Sequence, residues 1–135
     1  MTKEELVALA RQAAQNAYAP YSGFRVGAAL LGASGKVYLG CNVENAAFTP
    51  SICAERTAFS RAVSDGERAF QAIAIVGGKE GVLQDFCPPC GVCRQVMAEF
   101  CPGTFAIHLG REDGKISSFT LEELLPQRFG GENLR

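Results

Sequence analysis

The sequence predicts an α/β fold: a mixed sheet of about five strands with helices on both faces, over a single domain spanning residues 1–135. Three observations carry this. Helix-type and strand-type segments follow one another in the order α-β-β-α-β-α-β-β-α. Two strand-type segments, 24–31 and 36–43, are separated only by Gly32-Ala33-Ser34-Gly35 and read as a β-hairpin. The short apolar run 70–76, rich in Ile and Val, reads as a buried strand.

Each element has a local reason. Thr2 and Glu5 have capping-box spacing, and Leu6, Leu9, Ala10, Ala13, Ala14 and Ala17 mark one helical face, which Pro20 and Gly23 bring to an end. After the hairpin, residues 44–52 carry Asn45, Thr49, Pro50 and Ser51 and read as loop. A helix is expected from Ala54 to about Ser64, stopped near Gly66. Gly77-Gly78 should end the buried strand. Residues 91–100 are helical in pattern, with Val92, Val96 and Phe100 on one face. Strands are expected at 105–109 and 115–119, flanking a turn at Glu112-Asp113-Gly114. Thr120 with Glu123 caps a last short helix that stops at Pro126. No internal repeat, linker or low-complexity segment interrupts the chain.

Composition narrows the function. A hydrophobic fraction of 47% supports one domain with a real core. The formal charge of −1 and the scattered basic residues argue against a nucleic-acid polymer as partner. No run approaches the ~20 apolar residues needed to cross a bilayer, and Met1-Thr2-Lys3-Glu4-Glu5 is too polar and acidic for a signal peptide. The expectation is a cytoplasmic protein acting on a small molecule. Six cysteines in such a setting bind metal or react more often than they form disulfides. Cys41 and Cys101 lie in apolar surroundings and read as small hydrophobes.

The chemistry concentrates at two helix starts: Cys53-Ala54-Glu55, and 34 residues later Pro89-Cys90-Gly91-Val92-Cys93. Three thiols and a carboxylate are brought together. A structural tetrahedral zinc site is closed by four protein ligands, whereas a catalytic one keeps a position for water. Cys53, Cys90 and Cys93 supply three ligands for Zn²⁺, and Glu55 stands within reach of the open position without ligating. A lone CxxC is weak evidence, because thioredoxin-like redox pairs share it. That reading wants the pair on the helix after a first strand, and here it falls late in the chain. Three thiolates leave a dication at net −1, so the helix dipoles and Arg56 or Arg94 are expected to offset the charge, at least one of these arginines donating to the sulfurs.

Cys53-Ala54-Glu55-Arg56 followed by Pro89-Cys90-Gly91-Val92-Cys93-Arg94-Gln95 resembles the zinc cytidine deaminases, whose three-cysteine variant with a non-ligand glutamate is a described pattern. The resemblance extends over about residues 5 to 130 and fits the short, homotetrameric branch with its three-layer α-β-α architecture. It implies hydrolytic deamination of cytidine and 2′-deoxycytidine with release of ammonia, with Glu55 moving the protons. Phe24-Arg25-Val26-Gly27-Ala28-Ala29 is similar to the family's first strand, which implies that Phe24 lies against the pyrimidine. Asn42-Val43-Glu44-Asn45 is similar to its ribose-binding segment, which implies sugar contacts from Asn42 and Glu44. The same resemblance places Ala54 among the substrate-binding residues. Leu124-Leu125-Pro126 with Phe129 resembles the segment that supplies an aromatic to a neighbouring subunit's pocket, so sites completed by neighbours are implied. His108 lies in a late strand and reads as structural.

Two departures from the family pattern stand out: Phe48 where relatives often carry tyrosine, and Pro88 where they often carry serine. Three alternatives remain open on sequence alone. Cys87 could serve as a fourth ligand of a structural zinc. A polynucleotide-editing deaminase would need a basic groove. A deaminase of another aminopyrimidine nucleoside would share the fold.

Overall fold

The computed structural model describes residues 1–135, apart from the side chain of Asp113. Four helices, α1 (Lys3–Ala14), α2 (Ala54–Ser64), α3 (Gly91–Phe100) and α4 (Leu121–Leu124), accompany five strands: β1 (Phe24–Gly32), β2 (Val37–Cys41), β3 (Phe70–Lys79), β4 (Ala106–Gly110) and β5 (Ile116–Thr120). The expected order therefore holds. Both capping boxes form: Thr2 Oγ1 accepts from Glu5 N at 3.1 Å while Glu5 Oε1 accepts from Thr2 N at 3.3 Å, and Thr120 with Glu123 repeats the exchange ahead of α4. Each satisfies two backbone donors that a helix start otherwise leaves open.

The sheet order is β2-β1-β3-β4-β5. β1 pairs antiparallel with both β2 and β3, β3 and β4 are parallel, and β4 and β5 are antiparallel. Alternation along the strands divides the core in two. Ala28, Leu30, Ile73, Ile75, Ile107 and Leu109 face α2, α3 and α4, meeting Ala58, Phe59, Met97 and Leu121. Ala29, Leu31, Ala72, Ala74 and Val76 face α1, meeting Leu6, Val7, Ala10 and Ala14. This is the expected three-layer α-β-α arrangement, with α1 on one face and the two cysteine-bearing helices together on the other. Each fully buried large apolar side chain contributes roughly 1.5–3 kcal/mol relative to exposure.

The boundaries differ from expectation where close approach matters. Gly77 and Gly78 do not end β3; they pair with Val26 and Arg25 of β1, and the strand runs on to Lys79. A Cβ on Gly78 would lie 1.6 Å from Val82 O, and one on Gly77 would lie 2.7 Å from Cys87 Sγ and 3.1 Å from the Phe24 ring. These glycines admit the returning loop against the strand rather than breaking it. Likewise a Cβ on Gly40 of β2 would meet Ala54 O and Ala58 N at 2.5 Å, so α2 seats its first turn directly on the sheet. α1 stops at Ala14, earlier than Pro20 would require, because the chain turns to bridge Tyr18 with Val43.

Among the described residues, no helix is long and apolar enough to cross a membrane.

Candidate catalytic metal centre

Cys53 is the N-cap of α2 and Cys90 the N-cap of α3. N-caps favour side chains that accept from the first turn, yet neither sulfur does so. Both turn instead toward each other, with Sγ–Sγ 3.7 Å, and Cys93 Sγ lies 3.5 Å from Cys90 Sγ. All three sulfurs fall within 4.8 Å of one another. A tetrahedral zinc with Zn–S bonds of about 2.3 Å sets its sulfurs about 3.8 Å apart. The donor set therefore fits Zn²⁺ in type and spacing, with three ligands and one position left over.

The electrostatics suit a cation. The neighbouring Cys93 thiol, with Arg56 beside it, holds Cys53 down to about 5 despite partial burial. The proximity of Cys53 and its own burial push Cys93 far up. Protons are thus shared within a cluster that a dication can replace, since coordination deprotonates thiols outright. Arg56 Nη2 lies 3.6 Å from Cys53 Sγ and 3.5 Å from Ser51 O, while its Nε is buried without a partner. Arg94 does not share the sulfur role that the charge count left open to it. Its Nε donates to Pro89 O at 2.7 Å and its Nη1 to Leu124 O at 2.6 Å.

Glu55, in the first turn of α2, is 4% exposed, the one buried polar or charged side chain among the described residues. Burial pushes its carboxyl up to about 7, and the Cys53 charge nearby adds to this. An uncompensated buried carboxylate costs stability, so its position calls for a reason outside folding. It lines a cavity of about 340 Å³ together with Cys53, Ala54, Arg56 and Cys90.

Asn42 and Glu44 line the same cavity. Asn42 also laces β1: its Oδ1 accepts from Val26 N at 2.9 Å and its Nδ2 donates to Phe24 O at 2.8 Å. Glu44 accepts from Ser22 Oγ and from the backbone N–H groups of Tyr21 and Ser22 at 3.0 and 3.1 Å, bonds that hold its carboxyl below the usual range. The Phe24 ring packs over Gly77 beside Cys87, a cavity-lining residue. Phe129 is not brought to this cavity within its own chain. It is 57% exposed, and its carbonyl accepts from Gln95 Nε2 of α3 at 2.8 Å.

Sequence reasoning missed the cavity walls Val26, Ser51 and Ile52, and missed Cys87 in that role, whereas Pro88, one of the two departures from the family pattern, does line the cavity. Signals were present: Val26 shares the face of Phe24 two residues on, Ile52 precedes the first ligand, and Cys87-Pro88 lead into the second motif. The four-cysteine alternative fails on geometry. Cys87 stands outside the sulfur cluster, over Gly77, and burial pushes its thiol up to about 12. His108 is likewise remote in role, its Nδ1 sharing a 2.8 Å hydrogen bond with Ser118 Oγ across β4 and β5.

Comparison with known proteins agrees with this geometry. The protein-family model for the cytidine and deoxycytidylate deaminase zinc-binding region matches residues 1–109. The cytidine deaminase of Sporosarcina psychrophila is 49% identical over 134 residues, covering 99% of this chain and 96% of that protein. That of Halalkalibacterium halodurans is 46% identical over 134 residues, covering 99% and 98%. The crystal structure of cytidine deaminase from Burkholderia pseudomallei superposes with a TM-score of 0.87 at 44% identity, covering 96% of this chain and 100% of that one. The Mycobacterium tuberculosis cytidine deaminase gives 0.80 at 37% identity, covering 96% and 98%. Three sulfurs at tetrahedral spacing beside a buried glutamate thus occur in a chain that belongs to the zinc-binding cytidine and deoxycytidylate deaminase family.

Proposed function

We propose that residues 1–135 form a single catalytic domain that deaminates cytidine and 2′-deoxycytidine hydrolytically to the uridine nucleosides and ammonia, in the cytoplasm and in pyrimidine salvage. The observation that carries this reading is the meeting of the Cys53, Cys90 and Cys93 sulfurs with buried Glu55 in one cavity. Bound zinc supplies Lewis-acid polarisation and lowers the pKa of water to about 7. Glu55 does the proton work. Its carboxyl, pushed up to about 7, both accepts and returns a proton near neutral pH. It takes a proton from the attacking water and delivers it to N3 of the ring. The remaining hydroxyl adds at C4; Glu55 then takes its proton and carries it to the exocyclic nitrogen, and the C4–N bond breaks to release ammonia as the C4 carbonyl forms.

The other residues bind and orient. Glu44 has lone pairs beyond the three bonds it accepts from Tyr21 and Ser22, and these suit sugar hydroxyl donors. Asn42 places its amide beside it while holding β1, and Ala54 offers a small wall at the start of α2. Phe24, Cys87 and Val26 supply the apolar side against which a pyrimidine face packs. A homotetramer with sites completed by neighbours fits the exposure of Tyr21, Phe48 and Phe129, all more than half exposed in the single chain.

The test is loss of the cytidine absorbance band on incubation with zinc-quantified protein, with ammonia measured in parallel. Equimolar ammonia is expected. No turnover at one zinc per chain, with activity on another aminopyrimidine nucleoside, would move the substrate assignment within the same chemistry.

Arg56 carries a separate prediction. Its Nη2 offsets the third thiolate, so Arg56→Gln should weaken zinc retention by roughly 10–100-fold, the usual effect of losing a partner that orients a metal ligand. Chelator competition at equilibrium measures it, and unchanged affinity would remove Arg56 from that role.

A further inference from the structure

Arginine near a helix N-terminus works against the helix dipole, and Arg94 lies in the opening turn of α3, immediately after Cys93. Its side chain reaches neither solvent alone nor the sulfurs. It is half-buried, and its guanidinium spans two carbonyls: Pro89 O at 2.7 Å and Leu124 O at 2.6 Å. Leu124 ends α4, where the last carbonyls lack intrahelical partners. The Arg94 backbone N–H meanwhile donates to Cys90 O at 3.0 Å. One residue therefore holds the carbonyls of both peptide units that flank Cys90, the exposed ligand, and ties them to the C-terminal segment. Pro89 is itself fully buried, so the strut has a fixed footing.

We infer that Arg94 is a positioning residue for the metal centre, pinning the backbone of Cys90 between Pro89 and α3 and coupling metal retention to the C-terminal helix α4. The physical case is geometric. Cys90 lies at a loop-to-helix junction, where its sulfur meets those of Cys53 and Cys93 but makes no cap bond to the backbone of α3. Charge-assisted bonds of this length are about twice as strong as neutral ones. The planar fork suits two separated carbonyls, whereas an ammonium is a point charge without that span. Two neighbouring ties give an internal comparison. Gln95 reaches Phe129 O and Arg128 reaches Cys101 O at 2.9 Å. Both join α3 to the C-terminal segment, and neither touches the loop that carries Cys90.

This inference rests on the zinc reading, and the experiment separates the two. Zinc release from the loaded protein is followed with a chromogenic chelator, together with the thermal midpoint of the chelated protein. The parent must first show one zinc per chain; its absence would fail the zinc reading itself. Arg94→Gln is expected to release zinc at least tenfold faster. Arg94→Lys should fall between it and the parent, keeping folding safe if the glutamine variant is compromised. Arg128→Gln should release zinc at the parental rate. In the cobalt-substituted protein, Arg94→Gln should shift the d–d bands, a change in ligand geometry that a general loss of stability does not produce. Parental release rates in both Arg94 variants would overturn the inference. Equal acceleration in Arg128→Gln would do so as well, because any tie to the C-terminal segment would then serve.

Discussion

Glu55→Ala is expected to bind zinc at parental stoichiometry and to fold, while kcat for cytidine falls by about 10²–10⁴-fold, the usual worth of a positioned acid–base group. Glu55 contributes no ligand atom to the sulfur cluster, so metal content should not change. The loss should therefore appear in kcat with zinc held at one per chain. Stability should move the other way. A carboxyl raised from its usual 4.5 to about 7 by burial disfavours the charged form in the folded state. The folded protein binds that proton more tightly than the unfolded chain, so Glu55 costs stability increasingly as pH rises from 4.5 through 7. In chelated protein, Glu55→Ala should raise the thermal midpoint more at pH 8 than at pH 5. Near-parental turnover in a zinc-loaded variant would sink the assignment of Glu55 as the proton carrier. A midpoint difference that shrinks with rising pH would reject the electrostatic account.

The second large effect is at the metal. Cys90 is exposed, unlike Cys93, which has no exposed surface, so Cys90→Ala removes a ligand with the least disturbance to packing. Zinc affinity should drop by more than about 100-fold, beyond what losing an outer partner costs. Turnover should fall in proportion to the zinc retained. A tightly bound metal at 1,000 times its Kd adds about 4 kcal/mol to folding. The parental thermal midpoint should accordingly fall on chelation, while that of Cys90→Ala should be insensitive to added zinc at the same concentration. A variant that keeps stoichiometric zinc after gel filtration would mean that Cys90 is not a ligand.

Much of this was legible along the chain because it depends on neighbours in sequence. The capping boxes at Thr2 and Thr120, the α2 and α3 starts, and the hairpin each follow from residues within a few positions of one another. The spacing of Cys90 and Cys93 likewise announces one turn of helix gripping one ion. The glycine pair Gly77-Gly78 was not legible. A Gly-Gly step reads as a break, and only the approach of Cys87, Phe24 and Val82 shows why the strand continues through it. Arg94 was ambiguous for a similar reason: beside a ligand in sequence, its reach could have been toward sulfur or away from it.

What the sequence by itself determined was the order of elements, the family resemblance and the residue types of the metal centre, since local periodicity and short motifs encode those. What only the tertiary structure decided was which side chains meet. Cys53 and Cys90, 37 positions apart, face each other because α2 and α3 pack on one face of the sheet. Cys87, only three positions from Cys90, is excluded from the cluster because the loop turns it onto Gly77. Partners distant in sequence are selected by packing, where close contact admits one arrangement and shuts out others.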